Sequence, residues 1–150
     1  MDDIDRKILK LLQDNARVSL KTIAEHTFLS SPAVSARIER MEKDGVITGY
    51  HAEVDPIKLG CHIQAFISLE VPPEEKAEFY AFAEKVPHIL ECSCVTGSYS
   101  MLLKTAFPST AQLDEFIGRL QAFGKTSTQI VFSTHVGPRG VSVDTGRKAV

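Results

Sequence analysis

Residues 19–43, SLKTIAEHTFLSSPAVSARIERMEK, decide how the chain is read, because they describe two short helices separated by a break, the second polar on its outer side. Ser19 is placed to cap the first helix, whose inward residues are expected to be Leu20, Ile23 and Ala24. Residues 27–30 interrupt the pattern. Ser30 or Ser31 then caps a second helix, which tolerates Pro32 in its first turn, where a missing N–H forfeits no intrahelical bond. Val34, Ile38 and Met41 recur at i, i+4 and i+7 and so form one buried stripe. At about 100° per residue the opposite side carries Pro32, Ala36, Glu39, Arg40 and Lys43, flanked by Ser31, Ser35 and Arg37.

A helix of this diameter fits a DNA major groove. Short hydroxyl and small apolar side chains let its backbone approach the bases, while Arg and Lys reach base edges or phosphates. The pair therefore reads as a helix-turn-helix with an exposed recognition helix, and the candidate DNA contacts are Arg17, Lys21, Ser31, Pro32, Ser35, Ala36, Arg37, Arg40 and Lys43. Arg37 has a second role open to it, a structural ion pair, and Glu39 is expected to be solvated or paired with Arg40 or Lys43. An ordinary amphipathic helix pair gives the same bare pattern, so the neighbouring sequence has to decide. Upstream, Ile4, Ile8, Leu11 and Leu12 make a third amphipathic helix, with Asp2 and Asp3 at its positive end. Downstream, Gly45 stops the second helix, and VITGYHAEV, residues 46–54, is β-rich and a candidate wing.

The chain has 150 residues, 43% of them hydrophobic, enough for a real core in one domain or two small ones. The pattern favours two. No apolar run approaches the roughly 20 residues of a membrane span and the N-terminus is acidic and helical, so a cytoplasmic protein with no membrane partner is expected. The three cysteines, Cys61, Cys92 and Cys94, form no CxxC pair and lack a histidine at zinc-finger spacing. They are expected to be small buried thiols, with no metal and no cofactor. The formal net charge of −2 argues against a nucleic-acid binder of the strongly basic kind without excluding one, and the basic residues of the first segment are matched by acids. Binding would rest on local charge placement, with modest affinity per monomer that a dimer would make useful.

Asp55-Pro56 and Leu59-Gly60 carry turn chemistry, which marks residues 54–60 as a linker between a winged helix-turn-helix domain, 1–53, and a second domain, 61–138. Along 61–71 the odd residues, Cys61 to Val71, are apolar and the even ones mostly polar, the signature of a half-buried strand. Pro72-Pro73-Glu74-Glu75 opens a helix with Phe79, Phe82, Ala83 and Val86 inward. Strands follow at 89–95 and 99–106. Ser109 and Gln112 make a capping-box pair for a helix facing inward with Leu113, Phe116, Ile117, Leu120 and Phe123 and ended by Gly124. A last strand is expected over 126–136, and residues 139–150 read as a flexible tail. The order β-α-β-β-α-β closes into a ferredoxin-like sandwich, so the fold class is α+β, and the uncovered sheet face, with Phe66, Leu102 and Val131, suits burial in a dimer.

Three stretches in order carry a further signal: DDIDRKILKLLQDNARVSLKTIAEH with its D-x-x-D-x-x-I-L-x-x-L spacing, LSSPAVSARIERMEKDGVITGY, and VTGSYSMLLKT. Together they resemble the Lrp/AsnC family of bacterial and archaeal transcription regulators over nearly the whole chain. The resemblance implies an N-terminal winged helix-turn-helix, a connecting strand, and a βαββαβ module that dimerises through its sheet and assembles dimers into octamers or related rings. It also implies an amino-acid effector at the turn of Thr96, Gly97, Ser98, Tyr99 and Ser100. Family members that respond to amino acids often carry acids where Ser98 and Ser100 stand, and a hydroxyl can orient an amine but cannot neutralise it. A different small effector, or DNA binding without one, therefore stays open. A second departure is Phe28, at a break where the family more often has a small residue.

These features describe a dimeric, sequence-preferring DNA-binding regulator of transcription. A metabolite-sensing or protein-docking module, or an architectural protein compacting DNA with little sequence preference, would be built from the same parts. An enzyme is not expected: His26, His51, His62, His88 and His135 are scattered, no nucleophile sits beside a base in a recognisable motif, and no glycine-rich phosphate loop follows a strand.

Overall fold

The computed structural model describes residues 1–143, which fall into two compact units: Met1–Glu53 with the segment that starts at Gly137, and Val54–Val136. In the first unit α1 (Asp3–Asp14), α2 (Leu20–Thr27) and α3 (Ser31–Lys43) pack around Ile8, Ile23, Ala24, Val34 and Met41, with Ile4, Leu11, Leu12 and Ile38 at the margin. Each start is fixed by a side chain. Asp2 caps α1 in a reciprocal box with Asp5, Ser19 accepts from Thr22 N, and Ser30 accepts from Ala33 N with Pro32 in the first turn of α3. Leu20 departs from expectation: it opens α2 and, at 41% exposed, stands outside the core that Ile23 and Ala24 enter.

Residues 46–54 also differ from the reading above. Among the described residues no strand forms between α3 and the sheet of the second unit. An extended segment becomes a strand only with a ladder partner. Here the run is tied back to α3, by Val46 N and Ile47 N donating to the Met41 carbonyl and by Tyr50 Oη donating to Glu42 Oε1 at 2.8 Å. The start of the expected tail lies in the first unit, where Gln13 Nε2 donates to the Val141 carbonyl at 3.0 Å. Its remainder, 144–150, lies outside the described residues.

The second unit is the ferredoxin-like sandwich. Its strands are β1 (Ile63–Leu69), β2 (Ile89–Cys94), β3 (Met101–Phe107) and β4 (Thr126–Ile130), in the antiparallel order β2-β3-β1-β4. A short 3-10 turn, Pro73–Glu75, leads into α4 (Lys76–Ala83), and α5 (Thr110–Leu120) crosses between β3 and β4. The alternation in β1 holds: Ala65, Ile67 and Leu69 are buried on the helix side with Phe79, Leu103, Phe116 and Leu120, while Phe66 is 37% exposed on the other. Rings of Phe82, Phe107, Phe116 and Phe123 meet within the core, and the Arg119 guanidinium lies 4.9 Å from the Phe82 centroid.

Three expectations for this unit need correction. β4 ends at Ile130; Val131 N still donates to the Gln64 carbonyl, but Phe132 is 99% exposed and the chain has left the ladder. Cys92 and Cys94 are exposed, because β2 is an edge strand with no further cover among the described residues, and Cys61, which precedes β1, is only half-buried. Gly124 does not end the helix, since α5 closes at Leu120 with Gln121 as its cap; the glycine is needed for close approach instead. A Cβ there would overlap the Glu70 carbonyl oxygen, and the two segments are held together by Glu70 N donating to the Lys125 carbonyl at 2.9 Å. Among the described residues no helix is long and apolar enough to cross a membrane.

Candidate nucleic-acid interface and effector turn

The face of α3 that turns away from Val34 and Met41 carries Pro32, Ala36, Glu39, Arg40 and Lys43, all exposed, with Ser31, Ser35 and Arg37 half-buried beside them. Arg17 and Lys21, in the α1–α2 connection and on α2, are exposed as well. The candidate residues thus lie on one helix face and the connection beside it, but their charges are not equally available.

Arg37 Nη1 donates to Asp2 Oδ2 at 2.7 Å and to Asp5 Oδ1 at 2.8 Å, and Arg40 Nη2 donates to Asp5 Oδ2 at 2.8 Å. Asp5 is buried, its side chain 1% exposed. Its carboxylate is satisfied on both oxygens by α3, and the Asp2 N–H donates to it as well at 3.0 Å. Arg37 therefore takes the structural ion pair of its two alternatives, and Arg40 shares that carboxylate with it while keeping a side chain 53% exposed. Glu39 pairs with neither Arg40 nor Lys43; it accepts from Ser35 Oγ at 2.9 Å, an i, i+4 bond that draws the carboxylate along the helix. Lys43 forms no ion pair among the described residues.

The cluster shifts its own titrations. The Asp5 N–H, then Arg37, hold the Asp2 carboxyl down at about 2. Burial alone would raise Asp5, but the Asp2 N–H and the two guanidinium groups outweigh it and its pKa is lowered. Arg37 is pushed up by the same two carboxylates. These ion pairs cross-tie α1 and α3.

Residues 96–100 join β2 to β3. Thr96, Gly97 and Ser98 are exposed, and Gly97 sits at φ +112, which suits glycine. Ser100 is committed elsewhere: its Oγ accepts from Val71 N at 2.9 Å and donates to the Val71 carbonyl at 3.2 Å, bracing the end of β1 against the start of β3. Tyr99 is half-buried. Hydroxyl chemistry open to a ligand here therefore centres on Thr96 and Ser98.

Comparison with known proteins resolves what these two units are. A family model described as winged helix-turn-helix DNA-binding matches residues 1–48, and one described as the Lrp/AsnC ligand binding domain matches residues 64–141. The chain belongs to the Lrp/AsnC family. It is 38% identical to YezC, an uncharacterised HTH-type transcriptional regulator of Bacillus subtilis (strain 168), over 89% of this chain and 95% of that one. It is 34% identical to the HTH-type transcriptional regulator FL11 of Pyrococcus furiosus, over 90% and 91%. The solved structure of B. subtilis LrpC superposes with a TM-score of 0.86 at 27% identity, covering 92% of this chain and 99% of that chain.

An Lrp/AsnC protein is a DNA-binding regulator of transcription and not an enzyme, which agrees with the scattered histidines. Sequence reasoning missed the part of Asp5 in this regulator. The signal was present: Asp5 falls on the Ile4, Ile8, Leu12 side of α1, and an acid within an apolar stripe needs a cation, which the Arg37 and Arg40 pair one turn apart supplies.

Proposed function

We propose that this Lrp/AsnC regulator seats α3 in the major groove through Ser31, Pro32, Ser35, Ala36 and Lys43, with Arg17 and Lys21 on the flanking phosphates. Arg37 and Arg40 set the pitch of the helix from their ties to Asp5 and lend positive field to the same face. The observation that carries this reading is the exposed outer face of α3 with an unpaired Lys43 among the described residues. Self-association through the open sheet face around Phe66 and Leu102 would pair two recognition helices on half-sites about 34–36 Å apart, and rings of such dimers would bend DNA. A small effector, an amino acid or another hydroxyl-recognised molecule, would act at Thr96, Gly97 and Ser98, with Tyr99 at its edge and Ser100 as the brace. The site of action is the cytoplasm.

A gel-shift titration at two salt concentrations tests the assignment. The expected outcome is a steep fall of affinity with salt, whose slope decreases by about 1 in Lys43→Ala. An unchanged slope and affinity in that variant would remove α3 from the DNA interface.

A further inference from the structure

Phe28 closes α2 with φ +56 and ψ +34, and among the described residues it is the one non-glycine with a positive φ. Its ring is 93% exposed. Folding gains from neither feature. In the left-handed region an L side chain crowds its own carbonyl, and a ring in water buries no apolar surface. Glycine would close the helix at lower cost, since the capping bonds here, Phe28 N and Leu29 N to the Ala24 carbonyl, involve only backbone. A strained, exposed aromatic side chain is therefore a candidate for a role outside the fold.

Its place in the chain says which role. Phe28 stands three residues before Ser31, the first residue of α3, while Leu29 between them is packed against the helical core and fixes the turn. The ring therefore projects from the same turn that delivers the amino end of α3. We infer that Phe28 is a DNA-contact residue whose ring packs on apolar groups of the duplex, thymine methyls or deoxyribose faces, beside the bases approached by Ser31 and Ser35. The contact adds a large apolar surface that water leaves when the duplex seats, where the outer face of α3 offers only the small apolar side chains of Pro32 and Ala36. The inference rests on α3 being the recognition helix.

The experiment uses the full chain and a duplex selected from a random-sequence pool by the parent protein, read by fluorescence anisotropy, with thermal melting alongside. Phe28→Gly is expected to raise Tm by several degrees and weaken binding by about fivefold. Phe28→Ala, which removes the ring and keeps the side-chain-bearing turn, is expected to weaken binding as much without the gain in Tm. Binding within about twofold of the parent in both variants would overturn the proposal. So would a loss confined to Phe28→Gly, which would trace to a loosened turn. Lys43→Ala separates the two levels: normal sensitivity to Lys43 with none to Phe28 rejects this contact alone, whereas insensitivity to both rejects the helix assignment with it. Replacing thymine by uracil in the duplex distinguishes the methyl from the sugar, since only a methyl contact is lost with that change.

Discussion

The two units differ in what they bury: among the described residues only the helical one holds a buried charge. In the sheet unit the buried Thr105 answers its own neighbour, its Oγ1 donating to the Ala65 carbonyl at 2.9 Å on the adjacent strand, and the rest of the core is aliphatic and aromatic. In the helical unit the buried Asp5 is answered from α3, by Arg37 and Arg40. The sheet unit can thus be stable independently of what it binds. The helical unit is held partly by charge, since the Asp5 carboxylate is buried and depends on the two arginines that reach it.

The largest effect expected from this contrast is in the sheet unit. Phe79 is fully buried and its ring meets Phe123 edge-on at 5.5 Å, so Phe79→Ala should destabilise that unit by about 3–5 kcal/mol. Calorimetry should show the loss with no change in its dependence on salt or mild acid. A strong salt dependence of the deficit would mean that charge, too, holds the sheet unit together.

Asp5→Asn is the matching cut in the helical unit. It leaves Arg37 and Arg40 facing an amide that can accept from only one of them, and should cost about 2–3 kcal/mol. Because Asp2 and Asp5 titrate lower in the folded protein than their ordinary 3.8, their contribution is present above that value and is lost as pH falls through their lowered values, about 2 for Asp2. The melting temperature of the parent should therefore drop between roughly pH 4 and pH 2, and that drop should shrink in Asp5→Asn. An acid profile identical in the two proteins would show that the clamp contributes nothing.

What the sequence displayed follows from the same division. Apolar periodicity reports burial, so the five α-helices and four strands among the described residues were legible, down to the alternation in β1 and the caps at Ser19 and Ser109. Periodicity says nothing of which acid a surface arginine meets, so the ties of Arg37 and Arg40 to Asp5 were not legible, and Asp5 read as one acid among several. Partnerless segments were misread for a related reason: residues 46–54 and 131–136 have strand composition, but a strand requires a neighbour, and composition does not supply one. At the effector turn, Gly97 was legible as a turn residue, while the commitment of Ser100 to Val71 depends on a contact between β-elements far apart in sequence.

The smallest effect concerns whether the segment after α3 belongs to the helical unit's charged network. Tyr50 Oη donates to Glu42 near the end of α3, and burial, then the Glu42 carboxylate, push its hydroxyl up to about 12 from an ordinary 10.0. A tyrosine pKa raised by folding means that the folded state keeps the proton longer, so stability is full below pH 10 and declines as pH rises toward 12. Tyr50→Phe should cost about 1 kcal/mol at neutral pH, and the parent's phenolate absorbance should include one late-titrating tyrosine that the variant lacks. If the tyrosines of the parent all titrate near 10, the hydrogen bond does not hold the segment in solution, and residues 46–54 are free to seek a ladder partner elsewhere.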